Sequence, residues 1–149
     1  PGMRYCQAQA LVKSLMEDEY FAVQPPAVRK LVRNRILEDV KGRLLEDLVL
    51  LETLKSVRGR KNVQKAVFVN GDIDMVVSDP EALDCAIYEV KHSTERHPKQ
   101  LRHILDSGKR KLLEGAFGTV LRTEILYRGK TATFDGVSYR NVNEYLFGL

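Results

Sequence analysis

Tryptophan is absent from this chain of 149 residues, which holds only two cysteines and five prolines and is 7% aromatic. Cys6 and Cys85 stand far apart in sequence and form no metal-type pair, so a disulfide framework and a cysteine metal site are both excluded. A reduced, cytoplasmic setting is the expectation. No apolar run approaches the roughly 20 residues that a membrane helix requires, and the opening residues carry no signal-peptide pattern. No internal repeat or low-complexity tract is present. Gly-x-x-x-x-Gly-Lys-Ser/Thr is missing, so the chain is not itself a P-loop ATPase; GAFGTVL after Glu114 lacks the lysine and the strand-to-helix context. The chain opens Pro1-Gly2 rather than with an initiator methionine, as a fragment or processed chain would.

The length is that of an ordinary domain with a real core. Hydrophobic content of 44% and charged content of 30% are those of a soluble globular protein. A formal net charge of +4 is mildly basic and by itself indicates no partner. Its distribution is more telling. Residues 72–89 carry six acidic side chains and no Lys or Arg, a net of −6. Residues 28–65 carry eleven basic and five acidic residues, a net of +6, and residues 91–112 carry seven and two, a net of +5. An acidic centre between basic flanks suits the cleavage of phosphate backbones: carboxylates for a metal ion, cations for the nucleic acid. Basic helices are also commonly no more than solvated faces.

The acidic centre reads GDIDMVVSDPEALDCAIYEVKHS, from Gly71 to Ser93, and predicts two strands joined by a short turn. Residues two apart on a strand share a face, so Glu89 and Lys91 point the same way, about 7 Å apart. Ile73, Met75 and Val77 form the apolar set of the first strand, with Asp74 on the other side. Ser78-Asp79-Pro80-Glu81 supplies turn chemistry. A hairpin closing symmetrically about Glu81 and Ala82 puts Asp74 opposite Glu89, with Cβ atoms about 4.5–5.5 Å apart. Two ionised carboxylates that close repel unless a cation lies between them, and oxygen-only ligation suits Mg²⁺ or Mn²⁺ better than Zn²⁺. The competing interpretation is the solvent face of an amphipathic hairpin, since Glu-x-Lys alone is common in strands.

Around this hairpin the periodicity predicts a helix from Met3 to Asp18, a break at Pro25-Pro26 with Pro26 starting a helix, and a helical region from about Ala27 to Val57, in one or two pieces. LLEDLVLLETL is apolar on nearly every side and is expected to be covered on two faces, by the sheet and by the N-terminal helix. Glu46 inside it is either buried with a partner or lines a cleft, or else is a helix-surface charge. Pro98 to Asp106 is expected to be helical, with Lys109 to Glu114 continuing it. Thr119 to Tyr127 is expected as a strand, Thr131–Phe134 and Val137–Tyr139 as a hairpin, and Asn141 as the cap of a last helix. The order of helices, three strands, helix, strand, hairpin and helix is that of an α/β sandwich with mixed strand directions. His92, His97 and His103 have spacings that do not stack on one helix face and are expected as polar surface residues rather than zinc ligands.

GRLLEDLVLLETL, then GDIDMVV, then IYEVKHS resembles the restriction-endonuclease-like superfamily, the PD-(D/E)XK nucleases. More narrowly, the order resembles the C-terminal nuclease-like domain of prokaryotic AAA-type ATPases, from about Lys41 to the end of the chain. The resemblance implies an α/β fold with a mixed central β-sheet flanked by helices over residues 34–149, and a helical extension or linker over residues 1–33. It implies Glu46, Asp74, Glu89 and Lys91 as catalytic residues, with Asp74 and Glu89 holding Mg²⁺ or Mn²⁺ and Lys91 orienting the attacking water or stabilising charge on the phosphate. Arg58, Arg60, Lys61, Gln100, Lys109 and Arg110 are candidates for contacts to DNA. An ATPase module would lie in the same full-length protein, outside this chain. Two further classes stay open: a nuclease-like module with little catalysis that binds nucleic acid or a partner, and a protein-interaction domain.

Overall fold

The computed structural model describes residues 2–57, 59–96, 101–134 and 136–149. Two compact units divide the chain, Pro1–Asp47 and Leu48–Leu149. The expected boundary after residue 33 falls within a continuous helix.

The N-terminal unit is helical. Helix α1 (Gly2–Glu17) is followed by a single turn, α2 (Glu19–Ala22), which the Asp18 carboxylate caps by accepting from the Phe21 N–H at 2.9 Å. Helix α3 (Pro26–Val57) begins at the proline, whose missing N–H is not needed in the first turn, and runs unbroken across both units. Arg4 on α1 pairs with Asp47 on α3 at 3.1 Å, an exposed ion pair.

The second unit is a mixed α/β layer structure. Strands β1 (Asn62–Ala66), β2 (Ile73–Asp79), β3 (Asp84–Lys91), β4 (Thr119–Tyr127), β5 (Ala132–Phe134) and β6 (Val137–Asn141) form one sheet in the order β1-β2-β3-β4-β6-β5. β3, β4 and β6 run parallel; the other pairings are antiparallel. Helices α4 (Leu101–Ile104) and α5 (Ser107–Phe117) separate β3 from β4, and α6 (Val142–Phe147) ends the unit. Asn141 caps α6, its side-chain oxygen accepting from the Asn143 and Glu144 N–H groups at 2.9 and 3.3 Å. No helix among the described residues is long and apolar enough to cross a membrane.

Alternation along β3 assigns the two faces of the sheet. Cys85 and Ile87 join Val76, Val120, Ile125 and Leu113 of α5 in the main core. Tyr88 points to the opposite face, its ring 5.6 Å from that of Tyr145 on α6. There the Tyr145 hydroxyl lies 2.8 Å from the Thr53 hydroxyl, which donates to the Val49 carbonyl at 2.7 Å. Val49 and Thr53 are buried, one helical turn apart, whereas Leu48, Leu51 and Leu54 are each more than 40% exposed. Within the second unit the expected two-faced covering is therefore corrected: from Leu48 onward the fully buried positions of α3 are Val49 and Thr53, on one stripe at i and i+4 spacing.

The expected helix from Pro98 to Asp106 is also shorter. Its first residues lie outside the described ones, and it ends because Asp106 leaves the helix and caps α5, its carboxylate accepting from the Lys109 N–H at 2.9 Å. At the far end of α5, Gly118 has φ +87°, and an added Cβ would lie 1.9 Å from the Leu83 carbonyl oxygen. The next residue, Thr119, donates its N–H to that same oxygen at 2.9 Å. The β2–β3 turn and the start of β4 thus meet at one glycine.

Gly118→Ala combines an unfavourable φ with a backbone clash, and a loss of about 2–4 kcal/mol in unfolding free energy is expected, measurable by urea denaturation. Tyr145→Phe leaves an acceptor position of the buried Thr53 hydroxyl empty and should cost about 1 kcal/mol. Burial, then the nearby Tyr145 and Glu124, push the Tyr88 hydroxyl up to about 12, and burial raises Tyr145 as well. Both rings ionise in the unfolded chain near pH 10. Their stabilisation is complete below about pH 10 and is lost as pH rises through the folded-state values, because the unfolded chain releases its protons first. Thermal melts between pH 9 and 12 should show a shallower decline for Tyr88→Phe than for wild type.

Candidate active site

Asp74, Glu89 and Lys91 meet within the second unit, and the local sequence explains how. Asp79 accepts from the Glu81 and Ala82 N–H groups, both at 3.1 Å, and folds the four-residue turn. The Ala82 N–H foremost, opposed by partial burial and joined by the Glu81 N–H and Lys61, holds the Asp79 carboxyl below its usual value. The resulting register pairs Met75 with Tyr88 and Asp79 with Asp84, symmetric about Glu81 and Ala82. Its next pair outward is Asp74 and Glu89.

At that point the Asp74 side chain replaces main-chain pairing. Its Oδ2 accepts the Val90 N–H at 2.8 Å. On its other side β2 carries a β-bulge. Gln64 pairs with Val76 and Ala66 with Ile73, so the single residue Lys65 faces both Asp74 and Met75. A bulge turns a side chain away from strict alternation and is frequent beside functional sites.

Asp74 and Glu89 are both at least nine-tenths buried, while Lys91 is partly open to solvent. The Lys91 ammonium donates to Glu89 Oε1 at 2.6 Å and lies 3.6 Å from Asp74 Oδ2. One cationic group thus touches both carboxylates, on the face of the sheet that α5 covers. Two buried carboxylates need such a counter-charge.

The donor set tests which metal fits. It offers oxygen donors from two carboxylates, and no cluster of three or more His, Cys, Asp or Glu suited to a metal occurs among the described residues. That number matches Mg²⁺ or Mn²⁺, which keep several waters and take further oxygens from a substrate phosphate, and does not match a closed zinc site. Asp74 and Glu89 would hold the ion.

The remaining expected residues divide. Glu46 is half-buried on α3 and belongs to the N-terminal unit, not to the unit that carries the other three. Arg58 and Gln100 lie outside the described residues. Arg60 and Lys61 are exposed and line a hollow of about 580 Å³ with Asp79 and Glu81, where Lys61 pairs with Asp79 at 3.6 Å. Arg110 is partly exposed, bonded to Glu114 at 3.1 Å and to the Val120 carbonyl at 2.9 Å. Lys109 departs from its expected surface role. It is 7% exposed, and its ammonium donates to the Asn70 and Gly71 carbonyls at 3.1 and 2.6 Å and lies over the Phe68 ring. It fixes the loop that leads into β2, three residues before Asp74. His92 contacts Arg128, with 3.1 Å between ring and guanidinium nitrogens.

One cation at the site was not singled out by sequence. Lys65 of β1 lies 3.9 Å from Asp74 Oδ1 and 3.8 Å from Asp72 Oδ2. No spacing in the chain marks it, because the pairing of β1 with β2 and its bulge bring it there.

No family model, curated protein or solved structure matches this chain.

Proposed function

We propose that the second unit is a restriction-endonuclease-like domain that hydrolyses phosphodiester bonds in DNA with Mg²⁺ or Mn²⁺ held by Asp74 and Glu89. The observation that supports it most is the Lys91 ammonium in contact with both carboxylates, on adjacent strands, at the partly open edge of a buried acidic pair. A divalent ion at such a pair lowers the pKa of a bound water and polarises the phosphoryl oxygen. The chain's own groups do the rest. Asp74 is held in place by the Val90 N–H and so need not reorganise when charge develops. Lys91 orients the attacking water and offers positive charge to a non-bridging phosphate oxygen. Water adds to phosphorus, the P–O bond to the leaving sugar breaks, and the departing oxygen takes up a proton. Arg60, Lys61 and Arg110 remain as candidate contacts to the DNA backbone.

A second reading, a module that binds DNA with little turnover, is favoured by one observation. The Lys91 ammonium already supplies a counter-charge to both carboxylates without a metal. The residues also suit service to an ATPase module in the same full-length protein, a proposal that rests on the motif resemblance alone.

Incubation with Mn²⁺ or Mg²⁺ should yield cleavage of single-stranded, duplex or branched DNA. Lys91→Ala should lower kcat by about 100-fold or more while leaving DNA affinity within a few-fold, since a group acting in the transition state alters rate more than binding. Salt-sensitive binding without cleavage by any metal selects the second reading, and neither cleavage nor binding rejects both. Metal should also raise thermal stability, by about 2.7 kcal/mol at a hundred times its Kd. Asp74→Asn should lose most of that gain. Equal stabilisation of wild type and Asp74→Asn would place the ion elsewhere.

A further inference from the structure

We infer that Lys65 is a second phosphate-binding cation of this site, holding the DNA backbone from the β1 side. The inference rests on the reading of the site as one that acts on a phosphodiester. The bulge in β2 sets Lys65 alone against Asp74 and Met75, and its ammonium approaches the Asp74 oxygen that Lys91 does not, at 3.9 Å from Oδ1 against 3.6 Å from Oδ2 for Lys91. The Asp74 carboxylate is therefore flanked by an ammonium at each oxygen. The two differ in kind. Lys91 also donates a direct hydrogen bond to Glu89, whereas Lys65 stands between two other carboxylate oxygens, 3.8 Å from Asp72 Oδ2 and 3.9 Å from Asp74 Oδ1. Lys65 is also the more exposed, with 41% of its side chain open against 30% for Lys91.

The charge count points to the same role. Asp72, Asp74 and Glu89 against Lys65 and Lys91 leave one net negative charge. A divalent ion turns this into one net positive charge, which a single phosphodiester cancels. Without Lys65 the loaded site would be neutral before the substrate arrives, and the phosphate would enter with no net attraction. A lysine on an edge strand commonly serves only to prevent edge-to-edge pairing. Such a lysine faces solvent, whereas this one reaches Asp74 of the neighbouring strand and Asp72 just before it.

The test is DNA binding as a function of salt, with wild type, Lys65→Gln and Lys65→Arg. Ca²⁺ serves as the divalent ion, and metal affinity is followed separately by calorimetry. Loss of one phosphate contact should reduce the slope of log K against log salt by about 0.9. At low salt Lys65→Gln should bind DNA about 5- to 10-fold more weakly, while its affinity for Ca²⁺ is unchanged or higher because a competing ammonium has gone. Lys65→Arg keeps the charge and should keep the slope. A Lys65→Gln slope equal to that of a wild type that binds overturns the assignment of Lys65 alone and leaves the metal site standing. A drop in Ca²⁺ affinity with no change in slope also overturns it, and makes Lys65 a support for Asp74. Absence of salt-dependent DNA binding by wild type overturns the inference together with the reading beneath it.

Discussion

The hydrogen bond from the Val90 N–H to the Asp74 carboxylate joins the sheet of this protein to its candidate chemistry. At the end of an antiparallel ladder, two facing backbones can separate or continue. Here a side chain takes over the pairing, so the strands stay together while a carboxylate sits where a carbonyl would. The acceptor is now charged, which strengthens the bond. The same substitution leaves the second Asp74 oxygen facing β1. The bridging position of Lys91 and the approach of Lys65 both follow from where that one carboxylate is held.

Two supports keep it there from outside the hairpin. Lys109, a buried residue of α5, ties down the Asn70 and Gly71 carbonyls and so fixes the entry into β2. The bulge opposite Lys65 sets the angle at which β2 leaves the edge strand. Neither group needs to meet a substrate. Buried lysines are costly unless their donors are satisfied, and two carbonyls with an aromatic face meet that condition. A residue that resembles a surface cation by type thus acts as an internal strut.

The parts of this architecture that were legible in the sequence are the local ones. The β2–β3 register is set by a four-residue turn, an Asp that caps it and strict alternation on either side, so the position of Asp74 beside Glu89 follows from counting. Pro26 as a helix start and Asn141 as a helix cap are legible for the same reason: each acts within one turn of its own position. The features that local spacing does not reach depend on distant partners. Lys109 turns inward because a loop some forty residues earlier passes over it. Lys65 reaches Asp74 because an edge strand pairs with a bulge. Leu48, Leu51 and Leu54 of α3 stay exposed because the stripe through Val49 and Thr53 is the one that meets Tyr145. Glu46, whose role came from motif order alone, lies in the other compact unit.

The junction at Gly118 bears on how the second unit opens. Leu83 in the β2–β3 turn is bonded to Thr119 at the start of β4, so the hairpin is fastened to its parallel neighbour at the turn as well as along its length. Strands β2, β3 and β4, three of the four inner ones, then form a single plate, while β1 and the three-residue β5 are the margins of the sheet. Local fluctuations begin where few bonds must break together. In native-state hydrogen exchange, the amides of β3 and β4 should therefore belong to the slowest set and those of β1 to a faster one. The rigid side of the acidic pair is then its Glu89 wall, and the compliant side is the edge that carries Lys65.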